Sequence, residues 1–166
     1  MHDRNEIATK ITGMLDAASA DYTLYEHRPV LTYDDIAIVA QEIGWQGTEM
    51  KTLVQKAGDD FVVYVTLQGN RADTKAMKKH LDTKKLRMAS DEELAEKFGA
   101  EPGNAYPFGF DADVRIIVDP AVFEQEWMLF SPCRPDQTVQ VRGKDLEAVF
   151  TTAPNPVDIV ALNKES

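Results

Sequence analysis

Ile7, Ile11, Met14, Leu15 and Ala18 recur three and four positions apart, so residues 4–19 are predicted to form an amphipathic helix. Tyr22 to His27 reads as a short strand. Thr32 is a suitable N-cap for a second helix with Ile36, Val39, Ala40 and Ile43 on one face and Gly44 just past its end. Met50–Lys56 and Phe61–Leu67, joined at Gly58-Asp59-Asp60, read as a hairpin whose second strand is apolar enough to be central. Asp73 is placed to cap the next helix. Ser90 with Glu93 forms a capping-box pattern ahead of Leu94 and Phe98, and Gly99 ends that segment. Val114–Val118, Glu126–Phe130 and Thr138–Val141 are further strand candidates, and Lys144–Phe150 reads as a short helix with Leu146, Val149 and Phe150 inward.

Helices and strands interleave without regular βαβ spacing, which predicts an α+β fold with a mixed β-sheet rather than a doubly wound one. The 166 residues, 43% of them hydrophobic, can bury one sizeable core, and no Pro/Gly/Ser-rich linker divides them. A single domain is expected over residues 1–150. Residues 151–166, which begin Thr151-Thr152-Ala153-Pro154-Asn155-Pro156, read as a tail or a short helix.

The first residues are charged, and no run approaches the roughly 18 apolar residues that span a bilayer. A soluble protein made without an export signal is expected, with no membrane partner. Cys133 is the only cysteine, so an internal disulfide and a thiolate metal cluster are both excluded, and a reducing cytoplasm fits. Three scattered histidines offer no ligand spacing, and no metal or other cofactor is expected.

The net charge of −10 argues against a protein that coats nucleic acid through a general positive field, and no DNA partner is expected. The distribution is uneven, however. Between Lys75 and Arg87 the chain carries Lys75, Lys78, Lys79, His80, Lys84, Lys85 and Arg87 against one acid, Asp82. Lys75, Lys78 and Lys79 share a helix face, either as a solvated surface opposite Met77 and Leu81 or as a local phosphate-contact patch.

Two short segments carry candidate chemistry. Glu49-Met50-Lys51-Thr52-Leu53-Val54 places an ammonium group at the start of an otherwise apolar strand, and Gly103-Asn104-Ala105-Tyr106-Pro107-Phe108-Gly109 is a proline-stiffened loop bounded by glycines. A cation beside a loop whose amides can approach a ligand suits an anionic substrate bearing a carbonyl. Lysine is a point charge with three donors, suited to pairing with phosphate.

With these pieces in order, the chain from about Tyr25 to Phe150 resembles the YbaK and prolyl-tRNA synthetase-associated family of editing domains and free-standing aminoacyl-tRNA deacylases. The resemblance rests on Glu26-His27-Arg28-Pro29, Gly47-Thr48-Glu49-Met50-Lys51-Thr52-Leu53, Gly69-Asn70-Arg71-Ala72-Asp73-Thr74-Lys75 and Gly103–Pro107 followed by Phe108-Gly109. Val118-Asp119 and Phe130-Ser131-Pro132-Cys133-Arg134-Pro135-Asp136 complete it.

The resemblance implies hydrolysis of the ester joining a wrong, small amino acid to the 3′ end of a tRNA, with water rather than a protein side chain as nucleophile. Lys51 would bind the terminal adenosine, and Gly103 and Pro107 would shape the loop that holds the aminoacyl group. Amides around Gly103–Tyr106 would face the ester carbonyl. Thr52, Arg71, Asp73, Tyr106, Phe108 and Gly109 are implied as further substrate-binding positions, and Lys75, Lys78 and Lys79 as tRNA contacts. His27 lies in a matched motif, but no carboxylate is paired with it in sequence, so a structural or pocket-wall role is expected over a general base. Asp73 reads as a helix cap before it reads as an acid. Cys133 stands where relatives tend to have glycine, and without an activating neighbour it reads as a small packed residue. The partners implied are aminoacyl-tRNA and an aminoacyl-tRNA synthetase. The rival expectation is a non-catalytic protein that uses the same pocket to bind a nucleotide, an aminoacyl derivative or a synthetase.

Overall fold

The computed structural model describes residues 3–30 and 32–165. Among these residues, six α-helices and eight strands follow in the order α1 (Arg4–Ala17), β1 (Tyr22–Glu26), α2 (Tyr33–Ile43), β2 (Thr48–Ala57), β3 (Asp60–Leu67), α3 (Thr74–Leu81), β4 (Leu86–Met88), α4 (Asp91–Glu93), β5 (Arg115–Val118), α5 (Ala121–Glu124), β6 (Trp127–Phe130), β7 (Gln137–Arg142), α6 (Gly143–Thr151) and β8 (Val157–Ile159). α4 runs on as a π-helical turn, Leu94–Phe98, that Gly99 ends at φ +66°.

The caps are those the sequence predicts. The Thr32 hydroxyl accepts from the Asp35 amide at 3.1 Å, and Gly44 ends α2 in the left-handed region at φ +81°. Asp73 accepts from the Ala76 amide, and Ser90 with Glu93 closes a reciprocal capping box.

The sheet is mixed, in the order β1-β7-β6-β2-β3-β5-β8, with β4 added to β2. β3 is central, as its apolar run predicts. Val63 and Val65 point into the larger core with α1 and α6 residues, while Val62 and Tyr64 point the other way toward Met77 of α3. A third cluster packs Val39 of α2 and Trp45 on Leu129 of β6.

Strand β2 is where the sheet divides. One edge pairs with the whole of β3, from Met50–Leu67 to Ala57–Asp60. The other edge pairs with β6 only at Thr48 and Glu49, and with β4 only at Gln55 to Ala57. Between those two partners, Met50 to Leu53 pair with no strand on this edge, and a cleft opens in the gap.

Residues 157–165 are neither a free tail nor a helix. β8 pairs in parallel with β5, and Asn163 bridges Ala72. The Leu162 carbonyl accepts from the Asp73 amide at 2.7 Å and the Lys164 amide donates to Arg71 O at 2.7 Å. Two prolines, Pro154 and Pro156, stop α6 from continuing, and the three residues Val157-Asp158-Ile159 after them find an unfilled sheet edge. No helix among the described residues is long and apolar enough to cross a membrane.

Candidate functional site

The gap in β2 opens into a cleft of about 390 Å³. Glu49, Met50, Lys51, Thr52 and Leu53 form one wall, Thr32, Tyr33 and Ile36 at the start of α2 a second, and Pro102, Gly103 and Ala105 a third, with Phe130 and Ser131 between them. The cleft narrows into a recess of about 30 Å³, which Val30, Gln137 and Thr138 help to line and which shares Ile36, Glu49, Gly103, Phe130 and Ser131 with it.

Lys51 is half-buried, and its Nζ donates to the backbone carbonyl of Asn70 at 2.8 Å. That carbonyl is itself held in place. The Asn70 side chain donates to Thr66 Oγ1 at 3.1 Å, and Thr66 donates in turn to Asp119 Oδ2 at 2.7 Å. Asp119, only 2% exposed, also accepts from Asn163 Nδ2 at 2.7 Å and from the Ala121 amide at 3.0 Å. Tyr64 completes the cluster by donating to Asn163 Oδ1 and accepting from the Leu162 amide, both at 2.9 Å. The C-terminal segment thus acts as a strap on the turn that carries Lys51's partner.

Across the cleft, Gly103 adopts φ +98°, a conformation that glycine adopts without strain. The Asn104 amide is committed to Glu101 O at 3.1 Å, whereas the amides of Gly103 and Ala105 make no hydrogen bond among the described residues. The buried Asn104 side chain receives the Glu101 amide at 2.7 Å and donates to Cys133 O at 3.1 Å, pinning the loop to the turn after β6. Two unengaged amides in the same cleft as a fixed cation can bind an anionic oxygen.

Lys51, Thr52 and Gly103 therefore meet in one cleft. Other expected site residues do not reach it. Tyr106 is 4% exposed and donates to Phe98 O at 2.8 Å, and Phe108 is fully buried between Phe130 and Phe150. Both belong to the core, because Pro107 and Gly109 turn these aromatic rings inward. Pro107 is buried and shapes the loop without facing the cleft, and Gly109 lines a separate recess of about 210 Å³ beside Ile7 and Lys10. Asp73 is a helix cap, and Arg71 is exposed beside the strap. His27 sits behind the small recess, its Nε2 2.9 Å from Thr138 Oγ1 and its ring against Trp45, which is a structural placement.

Cys133 is fully buried at φ +73°, the left-handed conformation that explains why glycine suits this position. Burial pushes its thiol up to about 11, so it is neutral and unreactive at physiological pH. Among the described residues no three His, Cys, Asp or Glu side chains are placed to hold a metal ion.

Glu49 was not singled out by sequence reasoning, since a lone glutamate in a strand gives no signal of burial. Here desolvation raises its carboxyl pKa to about 7. A folded-state pKa above the ordinary value of 4.5 means stability that is present below pH 4.5 and lost as pH rises through about 7. Glu49→Gln is therefore expected to be more stable than the native protein by up to about 3 kcal/mol at pH 8, with most of that gain gone at pH 4.5. Urea denaturation of both proteins at the two pH values measures this, and a pH-independent difference would refute it.

The aminoacyl-tRNA editing domain profile matches residues 27–149. The prolyl-tRNA editing protein ProX of Acetoanaerobium sticklandii is 23% identical over 156 residues, covering 92% of this chain and 95% of that protein. The proline–tRNA ligase of Bacillus velezensis is 37% identical over 73 residues, 44% of this chain but only 13% of the ligase. A crystal structure assigned provisionally as a trans-editing enzyme for prolyl-tRNA synthetase superposes with a TM-score of 0.73 at 21% identity, over 96% of this chain and 98% of that one. The profile spans most of the chain, from the His27 turn through β2 and the Gly103 loop to α6, and the chain belongs to the aminoacyl-tRNA editing domain family.

Proposed function

We propose that this protein is a cytoplasmic trans-editing hydrolase that deacylates mischarged aminoacyl-tRNA carrying a small amino acid. The observation that carries the reading is the placement of the Lys51 ammonium opposite the unengaged Gly103 and Ala105 amides in a single cleft. Lys51 would hold the terminal nucleotide, with Thr52 beside it. The two amides would stabilise the oxyanion as water adds to the ester carbonyl, and the carbon–oxygen bond to the ribose then breaks, with the water proton passing to the departing ribose oxygen. The narrow recess below Gly103 suits a short amino-acid side chain. An aminoacyl-tRNA synthetase that releases the wrong product is the second partner of this reading.

Deacylation of a panel of tRNAs charged with small amino acids tests it. Selective hydrolysis above the buffer rate is expected. Buffer-level rates across the whole panel would overturn the hydrolase reading in favour of a binding protein.

The basic helix α3 begins one turn beyond the strapped loop. Lys75 and Lys79 are exposed, Lys78 is half-buried, and none has an ion-pair partner among the described residues. Reversing all three to glutamate is expected to weaken tRNA binding and to reduce the slope of log affinity against log salt by about 2. An unchanged slope in a salt titration would make this a solvated face only.

A further inference from the structure

Within the cleft, the side chain of Glu49 has a position but no partner. It borders both the main cleft and the narrow recess, alongside Gly103 in each. Its carboxylate makes no hydrogen bond or ion pair among the described residues. The charged and titratable groups around it are otherwise engaged or neutral. Lys51 is bonded to Asn70 O, Arg134 is paired with Asp136 at 2.7 Å, and the Tyr33 hydroxyl is driven above its ordinary range by burial and then by Glu49 itself. A desolvated carboxylate without a cation is costly unless the missing cation arrives with a ligand.

We propose that Glu49 binds the α-ammonium group of the aminoacyl ester and selects substrates whose amine is free. The proposal rests on the hydrolase reading above and names the group by which that site recognises its substrate.

The spacing along β2 supports it. Glu49 and Lys51 are two residues apart on the same side of the strand, about 7 Å along its axis. The aminoacylated terminal nucleotide of a tRNA likewise presents a cation at one end and a phosphate at the other. Its ammonium is one carbon removed from the ester carbonyl, so an amine held by Glu49 leaves the carbonyl beside Gly103, which borders the same recess. The amino-acid side chain then enters the recess toward Val30 and Phe130. Charge-assisted hydrogen bonds of this kind are stronger than neutral ones, and the low-dielectric wall reinforces this one.

The test compares one tRNA charged with alanine and the same tRNA charged with N-acetylalanine, which has no ammonium, using native protein and Glu49→Gln. The native protein is expected to prefer the free amine. Glu49→Gln should lower kcat/KM on alanyl-tRNA by about 10- to 100-fold and leave the N-acetyl rate unchanged, which erases the preference. Glu49→Asp, which keeps the charge, should retain the preference at a reduced rate. An equal fall on both substrates would overturn the proposal and mark Glu49 as a base or a structural group. No fall on either would also overturn it. A native protein inactive on both would overturn the underlying hydrolase reading, an outcome distinct from the loss of preference alone.

Discussion

Lys51→Ala is expected to lower aminoacyl-tRNA hydrolysis by at least about 100-fold, the scale set by removing one well-placed electrostatic donor from a transition state. The fold should survive. Lys51 is half-buried, its neighbours Met50 and Val54 supply the core contacts on the other face of β2, and its Nζ makes one hydrogen bond, to a carbonyl that solvent can satisfy once the side chain is gone. The stability cost should stay within about 1 kcal/mol. Lys51→Met separates the two contributions of this side chain, since it keeps the aliphatic stem and removes the charge. Single-turnover deacylation combined with thermal denaturation gives the result. Loss of rate with an unchanged melting temperature in both variants is expected, and an active Lys51→Met would show that the cation does not act in the reaction.

The cleft exists because β2 exchanges partners. A strand paired along both edges would leave no room for substrate between Lys51 and Gly103. Here β6 and β4 take opposite ends of the same edge, and the loop that follows the π-helical turn fills only part of the space between them. Asn104 ties that loop to the Cys133 turn, so the two unengaged amides are set by a buried side chain rather than by the loop alone. Preorganisation of this kind lets a site act on an already activated ester without a side-chain nucleophile.

Much of this was legible in the chain. Helices α1, α2, α3 and α6 are marked by apolar spacing and by caps at Thr32, Asp73 and Gly44, all local signals. Lys51 and the Gly103 loop, which line one cleft, stand out in the sequence because a charge beside an apolar run and a proline between glycines are themselves local. What was not legible depends on distant partners. β4 and β8 have three residues each and are strands only because β2 and β5 offer edges. α5 has four residues and no side-chain cap. Tyr106 and Phe108 resemble pocket aromatics in sequence, but the rings of Phe110, Phe130 and Phe150 and the Phe98 carbonyl receive them. Glu49 and Asp119 give no sign in one dimension of being desolvated.

Asp119→Ala is expected to destabilise the protein by about 3–5 kcal/mol, because it strands donors from Thr66, Asn163 and Ala121 in the interior. Asp119→Asn keeps the volume and half of the acceptor capacity, so it should fold at lower cost and allow activity to be measured. Its deacylation rate should still fall, since Thr66, Asn70 and Asn163 lose their common acceptor and the Asn70 carbonyl no longer fixes Lys51. The decisive comparison is the double variant. If Asp119 acts by positioning Lys51, then Asp119→Asn should cost little further activity in a Lys51→Ala background, giving strong non-additivity in the cycle. Losses that simply multiply would mean that the Asp119 cluster supports the fold without aiming the lysine. Asn163→Ala provides a second arm, because it breaks the strap at its C-terminal end, removing one donor to Asp119 while leaving the Asp119 and Lys51 side chains in place. A matching non-additive deficit there would place the segment that follows β8 within the machinery of the site.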